Sequence, residues 1–145
     1  MEATLSLSID RIIEVVLAHA AAVDIWNGIE DRPTVLNSNH KPMLCVFAET
    51  EINRLAMELS GVVVRLESPD DDIRLLTVDI PAATAPRIWQ RNFETLVCNG
   101  VLARAWDGHP DRIADMYTRD REALLASFRS SLATSTVPGR IARGA

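Results

Sequence analysis

The chain is 145 residues long, with 15 basic and 20 acidic side chains and a formal charge of -5. Hydrophobic residues at 48% against 24% charged exclude an extended disordered chain, and this length holds one core without metal or disulfide support. Asp10, Arg11, Glu14, His19 and Asp24 interrupt the richest apolar stretch, which excludes a span of the ~20 apolar residues a membrane helix needs.

The charge is unevenly distributed. Residues 1–84 carry 14 acidic and 6 basic groups, whereas residues 85–145 carry 6 and 9. Phosphate contact needs clustered Lys and Arg, so the acidic front argues against nucleic acid and anionic membrane as partners. No basic stretch precedes an apolar one near Met1, so no export signal is expected and the expected location is the cytoplasm. Fourteen of the basic residues are Arg and one is Lys41, in an Ala-rich chain, a composition that suits a GC-rich bacterial source.

In chain order, apolar residues at Ile9, Ile12, Ile13, Val16, Leu17, Ala20 and Val23 predict a first helix over Leu7 to Gly28, with Ser8 as its N-cap. Glu30 to Pro42 reads as a loop that allows a short strand at Thr34 to Asn37. Met43 to Ala48 reads as a strand, followed by a short helix capped by Thr50 and closed by Gly61. Val62 to Glu67 and Ile73 to Ile80 form a predicted hairpin around Ser68-Pro69-Asp70-Asp71-Asp72, with Val62, Val64 and Leu66 sharing one face of the first strand.

Thr84 and Pro86 open what reads as the longest helix, to about Trp106; Gly100 inside it reads either as a close approach by another backbone or as a fault in the helix. Asp107-Gly108 breaks the chain, and Pro110 starts a further helical segment patterned best over Ala123 to Leu132. The expected architecture is α+β: a small antiparallel sheet packed by an N-terminal and a long C-terminal helix, with an extra C-terminal helical segment. Residues 1–132 form the expected single domain and 133–145 a flexible tail.

Chemistry-bearing patterns are sparse. Cys45 and Cys98 each sit among apolar neighbours and read as reduced, buried hydrophobes; no Cys or His stands at zinc-ligand spacing. His19, His40 and His109 read as surface or capping residues. The triple Asp reads as turn chemistry, since no bidentate Glu follows at calcium-loop spacing. Glu49 with Glu51, and Asp70 with Asp72, are candidate carboxylate pairs that fit solvated faces better. Arg112, Arg119, Arg121 and Arg129, interleaved with acidic residues, read as a salt-laced exposed face. No phosphate loop, nucleophile elbow or metalloprotease motif is present, so no catalytic residue, cofactor or metal is expected.

Ile52-Asn53-Arg54-Leu55-Ala56-Met57-Glu58-Leu59, then Gly61 to Leu66, Ile73 to Pro81 and Phe93-Glu94-Thr95-Leu96-Val97-Cys98-Asn99-Gly100, resemble the class I type III secretion chaperones, the Tir-chaperone-like proteins, over residues 52–108. The resemblance implies a homodimer without a catalytic centre that holds an extended segment of a secreted effector. It implies effector-facing side chains at Ile13, Val16, Leu17, Val35, Leu44 and Val46, and a dimer seam at Leu55, Leu59, Val62, Val64 and Leu66. The chain departs from the family in the short stretch between Gly28 and Thr50 and in the helical region after Gly108. Two other readings remain at this stage: an interaction or regulatory domain of another lineage, immunity-like or phage-derived, and an enzyme with a dispersed acidic site.

Overall fold

Strict alternation over Glu2–Ser8 sends Ala3, Leu5 and Leu7 to one side and Thr4 and Ser6 to the other, and this segment is a strand, β1. The computed structural model, which describes residues 1–26, 36–81, 84–107 and 112–136, therefore starts the first helix later than expected. Leu7 belongs to β1, and α1 spans Ile9–Trp26. Ser8 does cap it: its Oγ accepts from the Arg11 N–H at 3.2 Å. Asp72, from a turn distant in sequence, accepts from the Asp10 N–H at 2.8 Å and the Ser8 hydroxyl at 2.9 Å, so two side chains satisfy the free amides of the first turn.

After a single 3-10 turn at Ser38–His40, α2 runs unbroken over Lys41–Glu58. The expected strand at Met43 to Ala48 is helix instead. Pro42 sits in the first turn, where its missing N–H costs nothing, and Leu44, Ala48, Ile52 and Leu55 make one buried stripe across both halves. Thr50 caps nothing; its hydroxyl donates to the Val46 carbonyl one turn back at 2.8 Å.

The hairpin forms as expected, from β2 at Val63–Glu67 and β3 at Ile73–Asp79. Asp70 closes its turn by accepting from the N–H groups of Asp72 at 2.8 Å and Ile73 at 2.7 Å. The register shifts between Val63 and Arg65, so Val64 is the extra residue of a bulge. Val63 and Leu66 therefore face the core, and Val64, expected to share a face with Val62 and Leu66, stands 60% exposed. The sheet is antiparallel with order β1-β3-β2, which leaves β1 and β2 as its edges. Gln90 seals part of the β1 edge by bonding both the N–H and the carbonyl of Ser6.

α3 spans Pro86–Ala105, and α4 spans Ile113–Thr136. The longest helix is thus α4, with 24 residues against 20 in α3. Trp89 and Phe93 of α3 meet Phe128 of α4, the closest pair at 4.4 Å between ring centroids in a T-shaped contact. Pro110, where this helical segment is expected to open, lies outside the described residues; α4 is described from Ile113, and the best-patterned stretch, Ala123 to Leu132, lies largely in its second half. Ala133 to Thr136, expected in the tail, continue the helix; residues 137–145, like Val35 and His109, lie outside the described residues. The architecture is α+β, with α1, α2 and α3 sharing one core with the sheet and α4 laid against α3.

Candidate functional site: two faces of one helix

α2 presents two polar environments. Positions 45, 46 and 49 point one way and position 51, about 200° around the helix from 49, points another. The first face borders a groove of about 400 Å³. Its walls are Ile9 and Asp10 at the start of α1, Cys45, Val46 and Glu49 on α2, and Asp71 and Asp72 in the hairpin turn, with Arg74 of β3 beneath. The sequence folds this way because the turn aspartate Asp72 must reach α1 to cap it, which draws the hairpin tip beside the helix start.

Arg74 is an inward residue of a central strand, and its side chain is 8% exposed. Its Nη1 donates to the carbonyls of Asp70 at 2.8 Å and Ile73 at 3.0 Å, and its Nη2 to Glu49 Oε1 at 3.2 Å. Its Nε–H is buried and has no partner among the described residues. An unpaired buried donor costs about 1–3 kcal/mol, which makes it the least satisfied atom of the groove. Burial raises the Cys45 thiol above its ordinary value, the nearby charges of Asp10 and Asp72 raise it further, and Lys41 partly offsets them. Cys45 is therefore a neutral thiol at neutral pH and no activated nucleophile.

The second face carries a buried charge cluster. Glu51 is 1% exposed and takes the Arg104 Nε at 2.7 Å and the Arg54 Nη1 at 3.4 Å on one oxygen, with the Arg121 Nε 3.6 Å from the other. Arg121, its side chain 3% exposed, reaches Glu58 with both terminal nitrogens, at 2.7 and 3.3 Å. Burial alone would raise the Glu58 carboxyl, but the hydrogen bond and charge of Arg121, with Arg54 and Arg129, hold it below its ordinary value. Room for Glu51 exists because α3 has Gly100 opposite it, where any Cβ would collide with the Glu51 carboxylate. The close neighbour expected at Gly100 is thus a side chain and not a backbone. The cluster ties α2, α3 and α4 together, and its central carboxylate is closed to solvent.

No family model matches the chain, and no curated protein or solved structure matches it either.

The residues expected to face an effector divide sharply. Ile13, Val16 and Leu44 are consumed by the chain's own core, and Leu17 is half-buried against it. Val46 is 61% exposed and lines the groove. Of the expected seam, Leu55 and Leu59 are core residues: Leu55 lies on the buried stripe of the unbroken α2, and Leu59 caps the C-terminal end of that helix and is buried there. Val62 and Leu66 are half-buried, and Val64 is exposed on the β2 edge.

Glu51 and Arg121, both expected on solvated faces, are buried. Sequence held a signal for them. Glu51 falls seven residues after Leu44 on an apolar stripe, and Arg121 falls between Tyr117 and Leu125 at four-residue spacing, so each is a charge at a core position. His40 caps locally, its Nδ1 accepting from the Asn37 N–H at 3.2 Å, and His19 is exposed. Among the described residues no group of three or more His, Cys, Asp or Glu is placed to hold a metal ion.

Proposed function

We propose that the chain is a non-catalytic protein-binding module that holds an extended segment of a partner protein, in the manner of a type III secretion chaperone. The observation that carries this reading is the open groove beside Val46, a 61% exposed apolar side chain on a helix that gives Leu44, Ala48, Ile52 and Leu55 to the core. The resembling stretch supports it: the second half of α2, the hairpin and α3 follow in the expected order. The described elements also depart from the family, since α2 occupies positions where an early strand was expected and β1 precedes α1.

The reading includes a homodimer. The β2 edge supports it, having one strand neighbour and presenting Val64 between half-buried Val62 and Leu66. Two measurements test the reading. Light scattering at micromolar concentration should give twice 16.0 kDa, and a strict monomer would oppose the dimer. Affinity capture from the native cell with mass spectrometry should recover one dominant secreted protein. Val46→Asp should abolish that capture at unchanged melting temperature; capture indifferent to Val46 would sink the groove as the holding site.

A further inference from the structure

We infer that the groove takes a basic side chain, an arginine or lysine, carried beside an apolar residue on the partner's extended segment; this rests on the partner-holding reading above. Charge is the first ground. Four carboxylates, those of Asp10, Glu49, Asp71 and Asp72, face one guanidinium, that of Arg74. Asp72 is committed to α1, and Glu49 offers one oxygen to Arg74. Among the described residues, the side chains of Asp10 and Asp71 make no hydrogen bond or ion pair. The groove thus keeps a surplus of negative charge on its rim, which a cation complements.

The carboxylates do not converge as metal ligands do, since no described group of three is placed to hold an ion. A longer organic cation reaches them separately. The second ground is independent of the acids. Val46, 61% exposed, stands on the groove wall and offers an apolar contact that a neighbouring side chain of a peptide makes and a metal ion does not. Cation and apolar group together describe a peptide segment.

The test uses the full chain and three peptides: acetyl-Gly-Ser-Leu-Arg-Leu-Ser-Gly-amide and the same sequence with citrulline or glutamate replacing arginine. The readout is the iodoacetamide alkylation rate of Cys45, a groove residue, with buried Cys98 as the internal control. The arginine peptide should slow alkylation of Cys45. The citrulline peptide should need about tenfold more for the same protection, as expected for losing one charged hydrogen-bonding group, and the glutamate peptide should give none. The preference should shrink with added salt and vanish in Asp10→Asn/Asp71→Asn, whose exposed positions leave the fold intact.

Equal protection by all three peptides would overturn the basic-residue inference while leaving the partner-holding reading in place. No protection by any peptide up to about 1 mM would overturn both. Protection by calcium or magnesium chloride without peptide would also overturn the inference, in favour of a metal site.

Discussion

Glu49 and Glu51 are separated by one residue on α2, yet Glu51 is 1% exposed among three arginines and Glu49 is 53% exposed beside one. The difference shows how a helix of one composition serves two purposes. On the inner face a carboxylate is desolvated, and three guanidinium groups from three helices compensate it. On the outer face the carboxylates outnumber the cation, and those of Asp10 and Asp71 are exposed and make no hydrogen bond or ion pair among the described residues. The inner face holds helices together; the outer face is the one proposed to take a partner.

The contrast is broken most directly at its buried end. Glu51→Ala should cost about 3 kcal/mol in chemical denaturation, because it removes the buried carboxylate that Arg104, Arg54 and Arg121 share and leaves Arg121 with Glu58 alone to compensate it. Replacing both, as Glu51→Leu/Arg121→Met, should restore most of that loss. A single-variant loss no larger than that of a surface pair would show that the cluster is solvated. Gly100→Ala comes next, at about 1–3 kcal/mol, since the new Cβ would lie 2.5 Å from Glu51 Cδ. In the Glu51→Ala background the same change should cost much less, and additivity of the two would remove Glu51 as its cause.

The two thiols repeat the comparison. Burial pushes Cys98 up to about 12, with Glu94 adding to it, whereas half-buried Cys45 is raised less. A thiol whose folded value lies above its unfolded 9.0 stabilises the fold below that pH and loses the contribution as pH climbs toward 12. Wild type should therefore weaken across that window, and Cys98→Ala should flatten the profile there. Glu58 has the opposite sign. Its depressed carboxyl stabilises the fold above its ordinary 4.5, and the contribution is lost as pH falls below that value, so Glu58→Gln should flatten the acid limb. The smallest effect is Glu49→Gln, within about 1 kcal/mol, because its partner contact is largely exposed.

How much of this was legible in the sequence follows from the length scale of each signal. The hairpin, α3 and the cap at Ser8 were readable because their periodicity and turn residues are local. β1 was legible in the alternation of Glu2 to Ser8 but was absorbed into the stronger helical pattern that begins one residue later. The unbroken α2 was missed because Pro42 and Thr50 each read as punctuation. Their actual roles, a first-turn proline and a hydroxyl bonded one turn back, preserve the helix.

The candidate site was the least legible part. Asp72 and Asp10 are 62 positions apart, and Glu51 and Arg121 are brought together only by the packing of α4. No local spacing encodes either meeting. Val46 was named by resemblance to a family in which early strands supply the patch; it reaches the groove on a helix instead.

The most direct test of the account measures protection of Cys45 by the arginine peptide in Glu49→Gln and Glu51→Gln side by side, with the melting temperature of each. Glu49→Gln should weaken protection about tenfold at a melting temperature within a few degrees of wild type. Glu51→Gln should lower the melting temperature and, below it, leave protection unchanged. Undiminished protection in Glu49→Gln, or lost protection in a still-folded Glu51→Gln, would contradict the division of α2 into a holding face and a binding face.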